Sequence, residues 1–224
     1  LAKLGRRHGP EAAERAIREA AEAVGNVSVD LIYGARRSTV ETARADAVRA
    51  IAAGAVHVSA YALTLDADVL AEEVPLARLR REGRLPLPSE DETRAQAAAI
   101  RSALRRAGLA RYEISNFARP GRESVHNRLY WDGESYLGLG AGAYGCLRGP
   151  PGGESVRYGN ARDARAYADT ALAGRLPTAE EDRIAATADR NERLMLALRT
   201  RDGAPISALS AAQAREAAEA VRRR

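Results

Sequence analysis

Apolar positions in the first part of the chain alternate between helical and strand spacing. Small apolar residues recur every three to four positions between Pro10 and Val24, which is the period of an amphipathic helix. The next apolar run, Val27 to Tyr33, is short and β-branched and predicts a strand. A capping box at Ser38 predicts a second helix, and Val56 to Leu63 predicts a second strand. Because a helix crosses between these two strands, we expect them to pair in parallel.

The same alternation continues to about residue 115. Ser89 and Glu92 form a capping box for a third helix, which Gly108 ends, and Arg111 to Ser115 predicts a third, short strand. The stretch from Leu63 to Pro88 predicts a long loop with one helical turn, since it combines three prolines with mixed charge. This order of elements is typical of an α/β fold, either part of a parallel β/α barrel or an open sheet.

The composition changes after residue 148. The run from Gly149 to Gly153 consists of glycine and proline and predicts a domain boundary. Three helical patterns follow it: Arg162 to Ala173, Thr178 to Leu198, and from about Ser210 onward. We therefore predict a partial barrel over residues 1–148 and a small, incomplete, mainly helical domain over residues 149–224.

Composition and charge narrow the class of protein. Aromatic residues make up only 4% of the chain, so the core must be built mainly of Ala, Leu, Val and Ile. The net charge is +5, but the arginines alternate with acidic residues and form no basic stripe, so we expect no nucleic-acid partner. The single cysteine, Cys146, excludes an internal disulfide and a cysteine-based metal cage. No signal peptide or spanning apolar run is present, which favours a cytoplasmic protein.

Asp30 is the sharpest single signal for chemistry, because its carboxylate lies in the middle of an apolar predicted strand. A buried, unpaired charge costs several kcal/mol, so we expect this group to be paired or to serve a ligand. Two interpretations stay open. One is a salt bridge to a neighbouring arginine, and the other is a site that accepts hydrogen bonds from a ribose or an amino group.

The second predicted strand has one polar face. His57, Ser59 and Tyr61 alternate with small residues and so share a face. Glu113 and Ser115 repeat the pattern on the third predicted strand, which together predicts a polar ligand cavity rather than a packed apolar barrel. Taken alone, His57 is better interpreted as a hydrogen-bonded core histidine.

Two later segments carry weaker signals. His126, Asn127, Tyr130 and Trp131 suit a heme site, since imidazole ligates iron and ring faces stack. A structural role, with core aromatics and a helix cap, is slightly favoured by the residues alone. The glycines from Gly138 to Gly142 have the wrong spacing for a dinucleotide fingerprint, and predict close backbone packing or approach to a flat ligand.

Seven segments together resemble the radical S-adenosylmethionine (SAM) family of oxygen-independent coproporphyrinogen III oxidase-like proteins. The HNxxYW form of one segment points to the heme-chaperone branch of that family. The segments occur in the family order: LGRRH at 4–8, VDLIYG at 29–34, HVSAYALTL at 57–65, YEISNFARPG at 112–121, HNRLYW at 126–131, YLGLGAGA at 136–143 and LMLALRT at 194–200.

The resemblance implies a partial β/α barrel that holds SAM and a 4Fe-4S cluster, followed by a smaller domain. It implies that heme is the cargo, handed to heme-accepting proteins that include membrane-associated respiratory ones. The positions that match SAM contacts are Arg6, Asp30 and Ala62. The heme candidates are His126, Asn127, Tyr130 and Trp131.

The chain departs from the family pattern in ways that bear on its activity. The three-cysteine cluster motif is absent, so we expect a C-terminal fragment that carries no 4Fe-4S cluster and is inactive by itself. The loops at Ala35–Thr39 and Asp66–Val69 also differ from the family sequence. Two alternatives stay open: an oxygen-independent coproporphyrinogen III oxidase that decarboxylates propionates by radical chemistry, and a degenerate, cluster-free binding module. Whether the intact protein is an enzyme, and its oligomeric state, are left open.

Overall fold

A computed structural model describes residues 8–65, 75–150 and 152–222 of the chain. These residues form two compact units, Leu1–Glu123 and Ser124–Arg224, each described here by itself. The first unit contains, in chain order, α1 (Pro10–Val24), β1 (Ser28–Tyr33), α2 (Val40–Ala52), β2 (His57–Ala62), α3 (Pro75–Arg81), α4 (Glu90–Arg106), β3 (Ala110–Arg111) and β4 (Asn116–Ala118). The second contains α5 (Val125–Trp131), β5 (Tyr144–Leu147), β6 (Ser155–Asn160), α6 (Ala164–Leu172), β7 (Thr178–Ile184), α7 (Ala186–Ala197), a 3-10 turn (Ile206–Ala208) and α8 (Ala211–Arg222).

The sheet of the first unit has the strand order β1-β2-β4-β3. β1 and β2 pair in parallel, with Ser28 opposite His57, which confirms the predicted crossover unit. β4 runs antiparallel to both of its neighbours. The single strand predicted from residue 111 to residue 115 is wrong, because a turn closed by the amide of Tyr112 and the carbonyl of Asn116 separates two short strands. Phe117 is the apolar residue that this turn carries into the core.

Side-chain caps set the helix starts on either side of the sheet. The capping box of Ser89 and Glu92 opens α4 as predicted. At α2 the box is formed by Thr39 and Thr42 instead of Ser38. The Ser38 hydroxyl lies 2.9 Å from Gln96 Oε1, and that oxygen also accepts a hydrogen bond from the Gly34 amide. The loop that departs from the family sequence is thereby tied to α4.

The core of the first unit lies between this sheet and the helices α2 and α4. It is built of small and aliphatic residues with one phenylalanine, as the composition predicts. Its most buried members are Ala43, Ala47, Ala50, Ala55, Val58, Ala60, Ile100, Leu104, Leu109 and Phe117.

The second unit is built around a three-stranded antiparallel sheet in the order β5-β6-β7. The helix predicted from Thr178 is wrong as far as Ile184, since these residues pair with β6 as β7. The helix itself starts at Ala186. The unit is therefore mixed α/β, where the sequence predicts mainly helix.

The run from Gly149 to Gly153 lies between the paired strands β5 and β6, as the loop of a hairpin. The division between the compact units comes earlier, after Glu123, and so differs from the predicted partition after residue 148. Glycine and proline mark hairpin loops and linkers alike, and composition does not separate the two. Within the described ranges, no helix combines the length and the apolar character needed to cross a bilayer.

Candidate functional site

The sheet of the first unit has one apolar and one polar face. Val58 and Phe117, which are opposite each other on β2 and β4, pack in the core beneath the helices. Strand alternation therefore turns their sequence neighbours to the other face. In that face, the polar residues come from three adjacent strands: Ser28 and Asp30 on β1, His57 and Ser59 on β2, and Asn116 on β4. The predicted polar row is thus present on β2, but Glu113 and Ser115, which were predicted to extend it, lie between β3 and β4, and Asn116 takes that place.

His57 is held in a short hydrogen-bonded chain. Its Nδ1 lies 2.7 Å from the Ser28 hydroxyl, and its Nε2 lies 2.8 Å from the Tyr112 hydroxyl. Burial lowers the pKa of the ring, against the opposing effect of the carboxylates of Asp30 and Glu123. Since both ring nitrogens are occupied, His57 is the hydrogen-bonded core histidine that the sequence favours.

Asp30 is exposed, so the premise that its carboxylate is buried in a strand is wrong. The reason is that β1 is an edge strand of the sheet that the structure describes. Within the described ranges, no Lys, Arg or His nitrogen lies within salt-bridge distance of its carboxylate. The salt-bridge interpretation of Asp30 therefore has no support in this structure, and the carboxylate is open to a ligand on the polar face.

Asn116 is a polar residue of this face that the sequence analysis does not identify. Its side chain is buried, and its Oδ1 has no hydrogen-bond partner among the described residues. It is opposite Ser59, which in turn is opposite Asp30, so the three residues form one row across β1, β2 and β4. No sequence signal separates Asn116 from a turn residue, because the turn before β4 is itself not predicted.

Of the other two residues matched to SAM contacts, only Ala62 is among the described residues. Arg6 lies outside the described residues. Ala62 is exposed and is the last residue of β2, opposite Tyr33. It thus lies at the carboxyl end of the parallel pair, which is the end where β/α barrels place their sites.

In the second unit, α5 carries the four heme candidates. Ser124 caps this helix by accepting a hydrogen bond from the amide of Asn127. His126 and Tyr130 are one turn apart, with ring centroids 5.0 Å apart in an edge-to-face arrangement. Tyr130 makes a second edge contact, at 4.5 Å, with Tyr136. The imidazole of His126 is exposed at the end of this aromatic row.

Trp131 has different surroundings from His126 and Tyr130. The guanidinium of Arg199 lies 6.0 Å from the centre of the indole ring, in cation–π geometry. Neither Tyr130 nor Trp131 belongs to the buried core, so the interpretation of both as core aromatics is wrong. The helix instead exposes Val125 and Leu129 beside His126.

The glycines that follow α5 in sequence pack closely against the strands β5 and β6 at two positions. A Cβ at Gly138 would overlap the backbone of Tyr144, and one at Gly145 would overlap the ring of Tyr158. The Tyr158 hydroxyl accepts a hydrogen bond from the Gly138 amide, and Asn160 donates to the carbonyl of Gly138. Close backbone packing, one of the two roles that the sequence predicts for the run, is therefore found at Gly138, whereas Gly140 and Gly142 have open space or ordinary contacts and positive φ.

One groove of the first unit lies away from the polar face. A groove of about 480 Å³ lies between α2 and α4, on the helical side of the sheet, and its lining includes Arg44, Val48, Ile51 and Ala103. No carboxylate, cysteine or histidine lines it. This groove therefore offers aliphatic and arginine side chains and none of the polar-face residues.

Of the two cofactors that the family resemblance implies, the described residues suit SAM but not a 4Fe-4S cluster. The polar face offers carboxylate, hydroxyl and carboxamide oxygens, which suit the hydroxyl and amino donors of SAM. A 4Fe-4S cluster is held by several cysteine thiolates, and the printed sequence has one cysteine, Cys146, which is buried. Among the described residues, no three His, Cys, Asp or Glu side chains are grouped to hold a metal ion.

Curated relatives match nearly the whole chain. The heme chaperone HemW of Mycobacterium tuberculosis is 38% identical over 222 residues, which are 99% of this chain and 54% of that protein. HemW of Lactococcus lactis is 33% identical over 91% of this chain and 50% of that protein. The mouse mitochondrial radical S-adenosyl methionine domain-containing protein 1 is 37% identical over 74% of this chain and 35% of that protein. The chain spans about half the length of the HemW relatives it matches.

A solved structure shows the same fold. Coproporphyrinogen III oxidase (HemN) from Escherichia coli, described as a radical SAM enzyme, superposes with a TM-score of 0.65 at 15% identity. The match covers 88% of this chain and 45% of that protein. No protein-family model matches the sequence. By its relatives and its fold, the chain belongs to the radical SAM, coproporphyrinogen III oxidase-like family, in the branch of the heme chaperones.

Proposed function

We propose that this chain is the heme-binding part of a heme chaperone that delivers heme to acceptor proteins. The observation that carries the proposal is the environment of His126. Its imidazole is exposed and makes no hydrogen bond to the described residues, so its nitrogens are available to iron. The likeness to HemW proteins, which are named heme chaperones, supports the same assignment.

The surroundings of His126 suit the rest of a heme molecule. Val125 is 73% exposed and Leu129 is 45% exposed, and the two lie one turn apart on α5. Tyr130 adds an aromatic edge next to the imidazole. Together they offer an apolar surface on which a porphyrin face would be removed from water while its iron binds His126.

We expect the His126→Ala variant to lose most of the Soret shift that the unaltered chain produces on addition of hemin. The reason is that the substitution removes the iron–nitrogen bond and leaves only apolar contact. The measurement is a hemin titration followed by absorbance, at fixed salt. His8→Ala is the matched control, since His8 is also an exposed histidine and its loss should leave the shift unchanged.

Two other candidate ligands are expected to be silent in the same titration. Both nitrogens of His57 are hydrogen-bonded, and burial raises the pKa of the Cys146 thiol, which disfavours the thiolate that binds iron. Hemin also adsorbs to basic surfaces, so affinity alone is weak evidence for a chain of net charge +5. Identical spectra for His126→Ala and the unaltered chain would remove His126 from the site.

We also propose that the polar face of the first unit binds SAM, with Asp30 as an acceptor. Asp30→Asn should weaken SAM binding by about 1.5–3 kcal/mol, the value of a charge-assisted hydrogen bond. The melting temperature should not change, because the carboxylate is exposed and makes no ion pair with the described residues. Calorimetry with SAM tests this, and Asp182→Asn, an exposed aspartate on β7, is the control. A lower melting temperature with unchanged SAM affinity would contradict the assignment.

A further inference from the structure

We propose that Asn116, with Ser59 beside it, forms a hydrogen-bonding subsite that recognises the nucleoside portion of the ligand on the polar face. This inference rests on the proposed binding of SAM to that face. It adds a specificity-determining residue on β4 to the carboxylate of Asp30 on β1.

The position of Asn116 follows from the register of the sheet. It is directly opposite Ser59 on β2, and the next residue, Phe117, points into the core. The side chain of Asn116 therefore lies on the polar face, where it is 3% exposed. Ser59 lies between Asn116 and Asp30, so acceptor groups extend across three strands at one level.

The side-chain oxygen of Asn116 lacks a hydrogen-bond donor among the described residues. Its Oδ1 is fully buried and has no partner among the described residues, although nearly all buried polar atoms in native proteins have one. The hydroxyls of Ser28 and Tyr112 both bond to His57 instead. The Ser59 hydroxyl also makes no side-chain hydrogen bond to the described residues. A ligand donor would satisfy Asn116 at no cost to existing bonds.

The burial and charge of these residues indicate which part of the ligand each of them would contact. A buried, neutral carbonyl oxygen suits a neutral donor, such as a ribose hydroxyl or the amino group of a purine. A charged ammonium would have to leave water to reach it, whereas Asp30 is exposed and carries the compensating charge. We therefore assign the nucleoside to Asn116 and the more exposed part of the ligand to Asp30.

The test compares two probes on the full chain. SAM carries the amino-acid tail, and 5′-methylthioadenosine keeps the ribose and the purine without it. Asn116→Leu should weaken both by about tenfold, the loss of one hydrogen bond, in calorimetric titrations. Its melting temperature should stay the same or rise, because an unpartnered buried oxygen is replaced by an apolar group of similar size. Ser59→Ala should weaken both probes to a smaller degree.

Each other outcome overturns the inference. Unchanged affinity for both probes, or a loss confined to SAM, would show that Asn116 does not contact the nucleoside. A lower melting temperature in both Asn116→Leu and Asn116→Ala would show a structural role instead. If the unaltered chain binds neither probe, the proposed SAM site fails together with this inference. If the unaltered chain binds both probes and the Asn116 variants bind them equally well, the proposed SAM site stands and only this inference fails.

Discussion

The Asp189→Asn variant is expected to lose about 2–3 kcal/mol of folding stability in the second unit, because a largely buried carboxylate loses its charge while Arg148 keeps Glu192 as a partner. One oxygen of Asp189 accepts hydrogen bonds from Arg148 and Ser155, both at 2.7 Å, and the other accepts one from Arg193 at 2.7 Å. The side chain of Arg148 is only 7% exposed. Removing the carboxylate charge therefore leaves a buried guanidinium with Glu192 as its remaining ion-pair partner.

The same contacts give a pH dependence with a definite sign. Burial alone would raise the pKa of Asp189, but the hydrogen bonds from Arg193, Ser155 and Arg148 outweigh it and lower the pKa to about 2. The stabilisation is therefore fully present above the ordinary aspartate pKa of about 4 and is lost as the pH falls through about 2. As the pH falls towards 2, the difference in stability between the unaltered chain and Asp189→Asn should therefore shrink.

Trp131, the only tryptophan, reports on this unit by its fluorescence. Urea unfolding followed at several pH values between 2 and 7 measures both effects. Asp182→Asn is the control, since this aspartate is exposed and its loss should cost little. A stability of Asp189→Asn equal to that of the control at neutral pH would contradict the prediction.

The Leu104→Ala variant is expected to destabilise the first unit by about 2–5 kcal/mol, the range for a large-to-small change in a packed core. Leu104 is 0% exposed on α4 and lies in the cluster between the helices and the sheet. Because many of its neighbours are alanines, there are few long side chains that could move into the space. The cost should therefore be in the upper part of that range.

Hydrogen exchange resolved by peptide measures this change in the first unit separately from the second. Leu172→Ala is the matched control, because Leu172 is 87% exposed and loses no packing. Exchange protection of β2 and α4 should fall in Leu104→Ala only. Equal protection in the two variants would show that α4 does not pack as described.

The polar face of the first unit is partly predictable from the sequence and partly dependent on strand pairing. The alternation on β2 predicts a polar face, and this holds because strand periodicity is a local property of the backbone. Whether Asp30 is buried depends on which strand lies beside it, and β1 is at an edge of the described sheet. Asn116 joins the face only because β4 pairs antiparallel with β2, across a long separation in sequence.

The second unit shows the same limit in its elements. Composition predicts a domain boundary at Gly149 to Gly153, and the helical pattern predicts a helix from Thr178. In the structure, the first is a hairpin loop and the second begins as the strand β7. β7 exists because β6 supplies its hydrogen bonds, and six of its seven residues are exposed, so no apolar alternation marked it. In both cases the outcome depends on the strand that pairs with the segment, and the local sequence does not specify that strand.

The sequence by itself determined the parallel pair of β1 and β2, the start of α4, the aliphatic core and the family, because these depend on local periodicity, caps and short motifs. Only the tertiary structure placed Arg199 over the ring of Trp131, left Asp30 open, and brought Asn116 next to Ser59. These depend on which surfaces meet, and the free energy of that choice comes from contacts between residues far apart in the chain.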